Sequence, residues 1–178
     1  MPAKGVREKR LKTSPEKIEV RRSGVHGKGV YAIAPIRKGE RIIEYTGKRV
    51  PWTVAIDLPA RDPDDPYHTF LFSLDNGDVI DAGQDGNDAR WINHACDPNC
   101  ETTEEDSRIF VYALRGIRPG EELFYDYRIV PAERRSRKLE REFGCICRSA
   151  KCRGTMLEPR KRRSVMPAKA RPRRVRAG

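Results

Sequence analysis

Residues 90–100 read Arg90-Trp91-Ile92-Asn93-His94-Ala95-Cys96-Asp97-Pro98-Asn99-Cys100, a run in which apolar residues lead into an Asn-His pair and then a turn. Buried, such a pair costs free energy unless every polar atom finds a partner. An adenine ring with its amino group, or an amino-acid moiety with charged ends, would supply partners. Further on, Glu121-Glu122-Leu123-Phe124-Tyr125-Asp126-Tyr127 sets two tyrosines around an aspartate, which an ordinary packed strand does not call for. Cys145, Cys147 and Cys152 follow as C-x-C-x4-C. Three thiols are one short of a tetrahedral zinc site, so the fourth ligand has to come from elsewhere in the chain.

Around these motifs the chain reads as mainly β. Apolar and β-branched runs at Ile18–Arg21, Gly29–Ile33, Arg41–Tyr45, His68–Leu74, Val79–Asp81 and Ile109–Ala113 are separated by turn signals. Asp75-Asn76-Gly77-Asp78 between two such runs predicts a hairpin. Ile36-Arg37-Lys38-Gly39-Glu40 and Ile117-Arg118-Pro119-Gly120-Glu121 echo each other, each a turn feeding a strand. Helix is expected only over residues 51–58, briefly over 85–93, and over the charge-alternating 131–143. Ser23-Gly24-Val25-His26-Gly27-Lys28-Gly29 would let a backbone approach a ligand closely, with a ligand carboxylate near Lys28.

Hydrophobic residues make up 37% of the 178 and charged residues 35%, and the net charge of +11 is unevenly placed. Residues 1–22 carry +5, residues 23–158 carry −3, and residues 159–178 carry +9 with no acid at all. Basic ends of this kind bury little and are expected to be disordered. Their attraction would be to polyanions, chiefly nucleic acid, and would weaken with salt. No apolar run approaches the ~20 residues that span a bilayer, and the basic N-terminus lacks the apolar segment of a secretory signal. Five cysteines without an export signal are expected to be reduced and metal-binding rather than disulfide-bonded.

Taken together, the Asn-His phrase, the Tyr-Asp-Tyr phrase and the thiols, in this order, resemble the SET-domain family of protein lysine methyltransferases with a post-SET zinc segment. The likeness is to its small stand-alone bacterial members, and it runs from about residue 18 to 157. It implies a SET fold of small curved sheets, few short helices and a pseudoknot-like threaded segment around Asn93-His94. The implied boundaries are a basic extension (1–15), the SET domain (16–130), a charged connector (131–144), the zinc-binding segment (145–158) and a basic tail (159–178).

The family's cofactor is S-adenosylmethionine, and by resemblance its contacts fall on His26, Lys28, Gly29, Phe70, Asn93, His94 and Ile146, with residues 155–157 completing the lysine channel. Tyr127 takes the main catalytic role, with Tyr45 and Tyr125 beside it. The incoming lysine must be neutral; its free pKa is about 10.4, and a narrow desolvated channel lowers that. A tyrosine at 125 implies a held water that limits the product mainly to monomethyl-lysine. Cys96 is the family's fourth zinc ligand beside Cys145, Cys147 and Cys152, while Cys100 is a free thiol or a competing ligand. The chain departs from the commonest pattern at Trp91 (commonly Phe), Ala95 (commonly Ser) and Phe70 (commonly Tyr).

The acidic run Asp62-Pro63-Asp64-Asp65 in the substrate-groove region suggests a basic peptide: a histone, a histone-like protein or another basic protein carrying the target lysine. The protein is expected to act as a monomer away from membranes, in cytoplasm or nucleoid if bacterial, in the nucleus or on chromosomes if eukaryotic or delivered to a host. The competing expectation is a non-catalytic, zinc-stapled binding module that works through its basic tails.

Overall fold

The computed structural model describes residues 15–58 and 69–160. Its strands are β1 (Ile18–Arg22), β2 (Lys28–Ala32), β3 (Arg41–Tyr45), β4 (Lys48–Pro51), β5 (Leu71–Ser73), β6 (Asp78–Asp81), β7 (Asn93–His94), β8 (Cys100–Glu105), β9 (Arg108–Ala113) and β10 (Phe124–Tyr125). Two short helices join them, α1 (Trp52–Ala55) and α2 (Arg137–Glu142). The strands form small sheets in the orders β1-β2, β3-β9-β8 and β4-β6-β5, all antiparallel, plus a parallel β7–β10 pair. This is the mainly β arrangement of small sheets and few short helices that the sequence predicts. No described helix is long and apolar enough to cross a membrane.

Each expected apolar run contains a strand, because its branched side chains fill one continuous core. Val30, Ile42, Ile92, Ile109, Val111, Ile117 and Leu123 are almost fully buried there, each contributing about 1.5–3 kcal/mol. Residues 74–78 close the expected hairpin, with Leu74 N–H donating to the Asp78 carbonyl at 2.9 Å. The two echoing phrases turn out to face each other. Ile36 and Ile117 exchange backbone hydrogen bonds of 3.0 and 2.9 Å. In each turn a glutamate accepts from a backbone N–H, Glu40 from Arg37 at 3.0 Å and Glu121 from Arg118 at 2.9 Å. Gly39 and Gly120 take φ of +74° and +89° in these turns, where a side chain would be strained.

Three helical expectations are trimmed. The first helix is one turn, the second is a 3-10 turn at Asp88–Trp91, and the third shrinks to Arg137–Glu142. Ser136 caps that last helix by accepting from Leu139 N–H at 3.2 Å, which fixes its start and leaves residues 131–135 outside it. Strand β8 was not expected, since Glu101-Thr102-Thr103-Glu104-Glu105 has no apolar alternation. It forms because Asp106 and Ser107 both take positive φ, 50° and 59°, as a tight two-residue hairpin turn requires, and this folds β8 back along β9. The acidic run at 62–65, the residues before 15 and the tail beyond 160 lie outside the described residues.

Candidate active site

One cleft of ≈ 730 Å³ gathers Tyr45, Tyr125 and Tyr127 with Asn93 and His94. Its wall is a relay of aromatic rings. Tyr45 of β3 lies 5.3 Å from Phe72 of β5, Phe72 lies 6.3 Å from Tyr125 of β10, and Tyr125 lies 5.0 Å from Tyr127. Tyr127 hydroxyl donates to the Ile92 carbonyl at 2.8 Å and Tyr45 hydroxyl to the Phe70 carbonyl at 3.0 Å. Tyr125 is buried, yet its hydroxyl has no protein partner among the described residues. Burial pushes the Tyr125 and Tyr127 phenols well above 10, so both stay protonated.

A second wall is organised by Asn93 and by Glu122, a residue that sequence reading passed over. Asn93 Nδ2 donates to the carbonyls of Lys28 (2.8 Å) and His26 (3.3 Å) and to Glu122 Oε1 (3.0 Å). Glu122 also accepts from Ser23 Oγ at 2.7 Å and Tyr31 hydroxyl at 2.8 Å. The glycine loop is thereby held to β7 at both of its ends. Gly29 is buried under that carboxylate: a Cβ there would lie 2.1 Å from Glu122 Oε1. It does not line the cleft, whereas His26, Lys28, Phe70, Asn93, His94 and Ile146 all do; of residues 155–157 only Met156 lines it, while Thr155 and Leu157 are buried.

Beside them Trp91 carries the Lys28 ammonium over one ring at 4.6 Å, the Arg90 guanidinium at 4.9 Å and the edge of Phe70 at 5.0 Å. Arg90 Nε is buried without a hydrogen-bond partner. On the other side Val130 and Ile146 remain 70% and 62% exposed, although both line the cleft. An orphaned donor, cationic side chains and uncovered apolar surface suit a ligand with an anionic end and a flat ring.

The sulfur atoms of Cys96, Cys145, Cys147 and Cys152 lie within 4.8 Å of one another. Zn–S bonds of ≈ 2.3 Å in a tetrahedron put sulfurs roughly 3.8 Å apart, and Cys96 and Cys145 stand at 3.6 Å. Backbone N–H groups of Cys147, Arg153 and Gly154 donate to these sulfurs at 3.3–3.4 Å, the environment thiolates need. Burial pushes the Cys96 and Cys145 thiols up, whereas at Cys147 hydrogen bonds from backbone and neighbouring thiols outweigh burial and bring the thiol to about 7. The donor set therefore fits zinc. Cys100 stands apart from it, fully buried on β8, its thiol pushed up by burial to about 12.

The thiols and the tyrosines share a residue. Burial lowers His94 to about 4, so its ring is neutral. Nδ1 accepts from Tyr127 N–H at 3.1 Å, which leaves Nε2–H to face Cys96 Sγ at 3.3 Å. With Nδ1 used as an acceptor, its 3.5 Å approach to Asp126 is not an ion pair. Asp126 is instead held by both terminal nitrogens of Arg153, at 3.0 and 2.7 Å. Asn99 ties the crossing together, donating to the Glu122 carbonyl and accepting from Phe124 N–H, both at 2.8 Å.

Residues 27–128 match the family described as SET domain. The human protein named histone-lysine N-methyltransferase 2B is 38% identical over 152 residues, 80% of this chain and 5% of the human one. A Neurospora crassa protein named histone-lysine N-methyltransferase, H3 lysine-4 specific, is 39% identical over 155 residues, 81% of this chain and 11% of the fungal one. The chain thus spans about a tenth or less of the length of these relatives. A solved structure described as ctPRC2 in an autoinhibited conformation bound to S-adenosylmethionine superposes with a TM-score of 0.55 at 32% identity. It covers 62% of this chain and 15% of that one.

Proposed function

Because the chain belongs to the SET-domain family, we propose that it is a protein-lysine N-methyltransferase that takes its methyl group from S-adenosylmethionine. The observation that carries this reading is the half-buried Tyr127, whose phenol is anchored on the Ile92 carbonyl and lines the cleft together with Asn93 and His94. The cofactor, when bound, supplies an electrophilic methyl group. His26, Lys28, Phe70, Asn93, His94 and Ile146 would hold it from the cleft wall, Gly29 by letting Glu122 brace the loop from behind. Lys28 would take its carboxylate and Trp91 would offer a ring face. Tyr45, Phe72, Tyr125 and Tyr127 form a narrow apolar passage that strips water from an incoming amine and favours its neutral form. Their role is to align that amine, catalysis by positioning. Zinc on Cys96, Cys145, Cys147 and Cys152 would fix the 145–158 segment over the site.

The substrate we propose is a histone, or another basic protein, which fits the names of the relatives. Those names also favour nucleus and chromosome over a bacterial compartment. The working division is a catalytic unit over 16–130, a connector over 131–144 and the metal segment over 145–158. The basic residues 1–15 and 159–178 would add contact with nucleic acid, and the unit would act as a monomer. The test is transfer of labelled methyl from S-adenosylmethionine to core histones, with mass spectrometry of the product. Label on a histone lysine is expected; no label together with no cofactor binding would overturn the reading.

Tyr125 bears on product degree. Its hydroxyl, open to the cleft and unpartnered, can hold a water where a second or third methyl would sit. The wild-type product is expected to be mainly monomethyl-lysine, and Tyr125→Phe to shift it toward di- and trimethyl-lysine. A trimethylated product from the wild type would sink this part.

The loop brace has its own test. Gly29→Ala drives a methyl group into Glu122, so cofactor affinity should fall about tenfold, roughly 1.4 kcal/mol. Adding Glu122→Ala to Gly29→Ala should make the second change less than additive. Simple additivity in calorimetric titration would show that the two residues act separately.

A further inference from the structure

Asp126 stands between the cleft tyrosines Tyr125 and Tyr127, and Arg153 stands between the candidate metal ligand Cys152 and Gly154. Their side chains meet in a two-pronged grip: Arg153 Nη1 donates to Asp126 Oδ2 at 3.0 Å and Nη2 to Oδ1 at 2.7 Å. Asp126 Oδ1 also accepts from Arg128 N–H at 3.4 Å. Arg128 takes a positive φ of +49°, so the same carboxylate braces the bend that follows Tyr127. At the other end, Arg153 N–H donates to Cys96 Sγ at 3.3 Å. One residue thus touches the thiol cluster with its backbone and the Tyr-Asp-Tyr phrase with its side chain.

The stretch that carries Tyr127 is fastened to the thiol segment on both sides of the tyrosine. Before it lies the Arg153–Asp126 grip. After it, Ile129 N–H donates to the Met156 carbonyl at 3.1 Å and Glu158 N–H to the Ile129 carbonyl at 3.0 Å. Neither Asp126 nor Arg153 lines the cleft, so a ligand held there is not what pairs with them. Their side chains are only 21% and 24% exposed, and the grip leaves Arg153 Nε buried without a hydrogen-bond partner. An unpaired buried donor costs free energy, and an ion pair drawn out of water returns little net stability. What a bidentate pair supplies instead is fixed geometry.

Building on the methyltransferase reading, we infer that Arg153 is a positioning residue for methyl transfer: through Asp126 it holds the Tyr127 ring in place and carries the order of the thiol segment to the reacting centre. It touches neither reactant and acts through Tyr127. A displacement of about 1 Å at a reacting centre can cost about 10² in rate, so a small loss of register there is enough to be read in turnover.

The test uses the full chain with core histones. Arg153→Lys keeps the positive charge and the backbone N–H on Cys96, but a lysine is a point charge and cannot grip both carboxylate oxygens in one plane. Asp126→Asn keeps the shape and cuts the pair from the other end. Each should lower kcat about tenfold, while KM and cofactor affinity change less than about threefold and zinc content stays at that of wild type. In a Tyr127→Phe background each change should cost less than about twofold, because the group it acts through is gone. A second readout needs no turnover. In isotope-labelled protein, the Tyr127 ring signal, assigned by its loss in Tyr127→Phe, should shift in both variants. That of Tyr112, held by Arg41 and Glu105 on the β3-β9-β8 sheet, should stay.

The inference is overturned if Arg153→Lys turns over like wild type, if its cost is as large in the Tyr127→Phe background, or if the Tyr127 signal does not move. Loss of zinc or of the folded state in both variants equally overturns it, since the pair would then be a structural staple; where Arg153→Lys alone loses them, Asp126→Asn decides on the same readings. A wild type that transfers no methyl, with the Tyr127 signal still moving in the variants, would count against the enzyme reading alone.

Discussion

Tyr127→Phe is expected to lower methyl transfer at least a hundredfold while changing cofactor affinity less than about twofold. The hydroxyl uses its proton on the Ile92 carbonyl, so its lone pairs are what the cleft receives. Losing it removes a preorganised polar contact at the reacting centre, for which losses of about 10²–10³ in rate are typical. It also leaves Ile92 without its donor, a cost of about 1–3 kcal/mol if that carbonyl stays dry. Ring packing against His94 and Tyr125, at 5.3 and 5.0 Å, survives in phenylalanine, so the fold should hold.

Because burial raises the phenol, it stays protonated across the assayable range and contributes no limb to the pH profile. The rate should instead climb with pH as the substrate amine loses its proton, about tenfold per unit below that amine's pKa. Single-turnover rates across pH check both points. A variant with near-wild-type rate, or a wild-type profile that falls below pH 9, would remove Tyr127 from the reaction.

Cys96→Ser should be the most damaging change outside the cleft. It removes one of four ligands, the Nε2–H acceptor of His94 and the acceptor of Arg153 N–H. Bound zinc should fall from one equivalent to well under one, and the melting temperature should drop by more than about 2–4 °C, the shift that 1 kcal/mol produces in a chain of this size. Methyl transfer should be lost with it, since His94 also positions Tyr127 N–H. Chelation of the wild type should reproduce the effect, whereas Cys100→Ser should keep the metal. Elemental analysis beside calorimetry decides it. A Cys96→Ser protein with a full equivalent of zinc and an unchanged melting temperature would refute the assignment.

What could be read in the sequence was whatever is local. Strands β2, β3 and β9 announce themselves by branched apolar residues, and the 74–78 turn by Asp-Asn-Gly. Strand β8 did not, since its pairing is imposed by the Asp106-Ser107 turn and not by its own side chains. The catalytic candidates were legible because Asn-His and Tyr-Asp-Tyr are unusual local phrases. Glu122 was quoted within such a phrase, but its function lies in partners at Ser23 and Tyr31, far away in the chain. No spacing rule points to those. Trp91 was noticed only as an unusual residue, and its place under two cations depends on how Lys28 and Arg90 fold back. Arg153 and Asp126 meet only because the thiol segment returns to the site. A glycine followed later by Gly-Glu-Glu could have suggested the Gly29–Glu122 contact, but only with the strand pairing in hand.

The chain has two tryptophans, Trp52 and Trp91, and both line the cleft. Its intrinsic ultraviolet emission therefore reports on the cleft's occupancy at least as much as on its fold. Quenching of Trp91 would register a ring stacked on the inner wall, and a wavelength shift of Trp52, which is 42% exposed, would register a chain arriving at the rim. Single Trp→Phe versions would separate the two signals, giving the order of ligand arrival with no dye attached. An unfolding curve followed by the same light would mix emptying of the cleft with loss of structure.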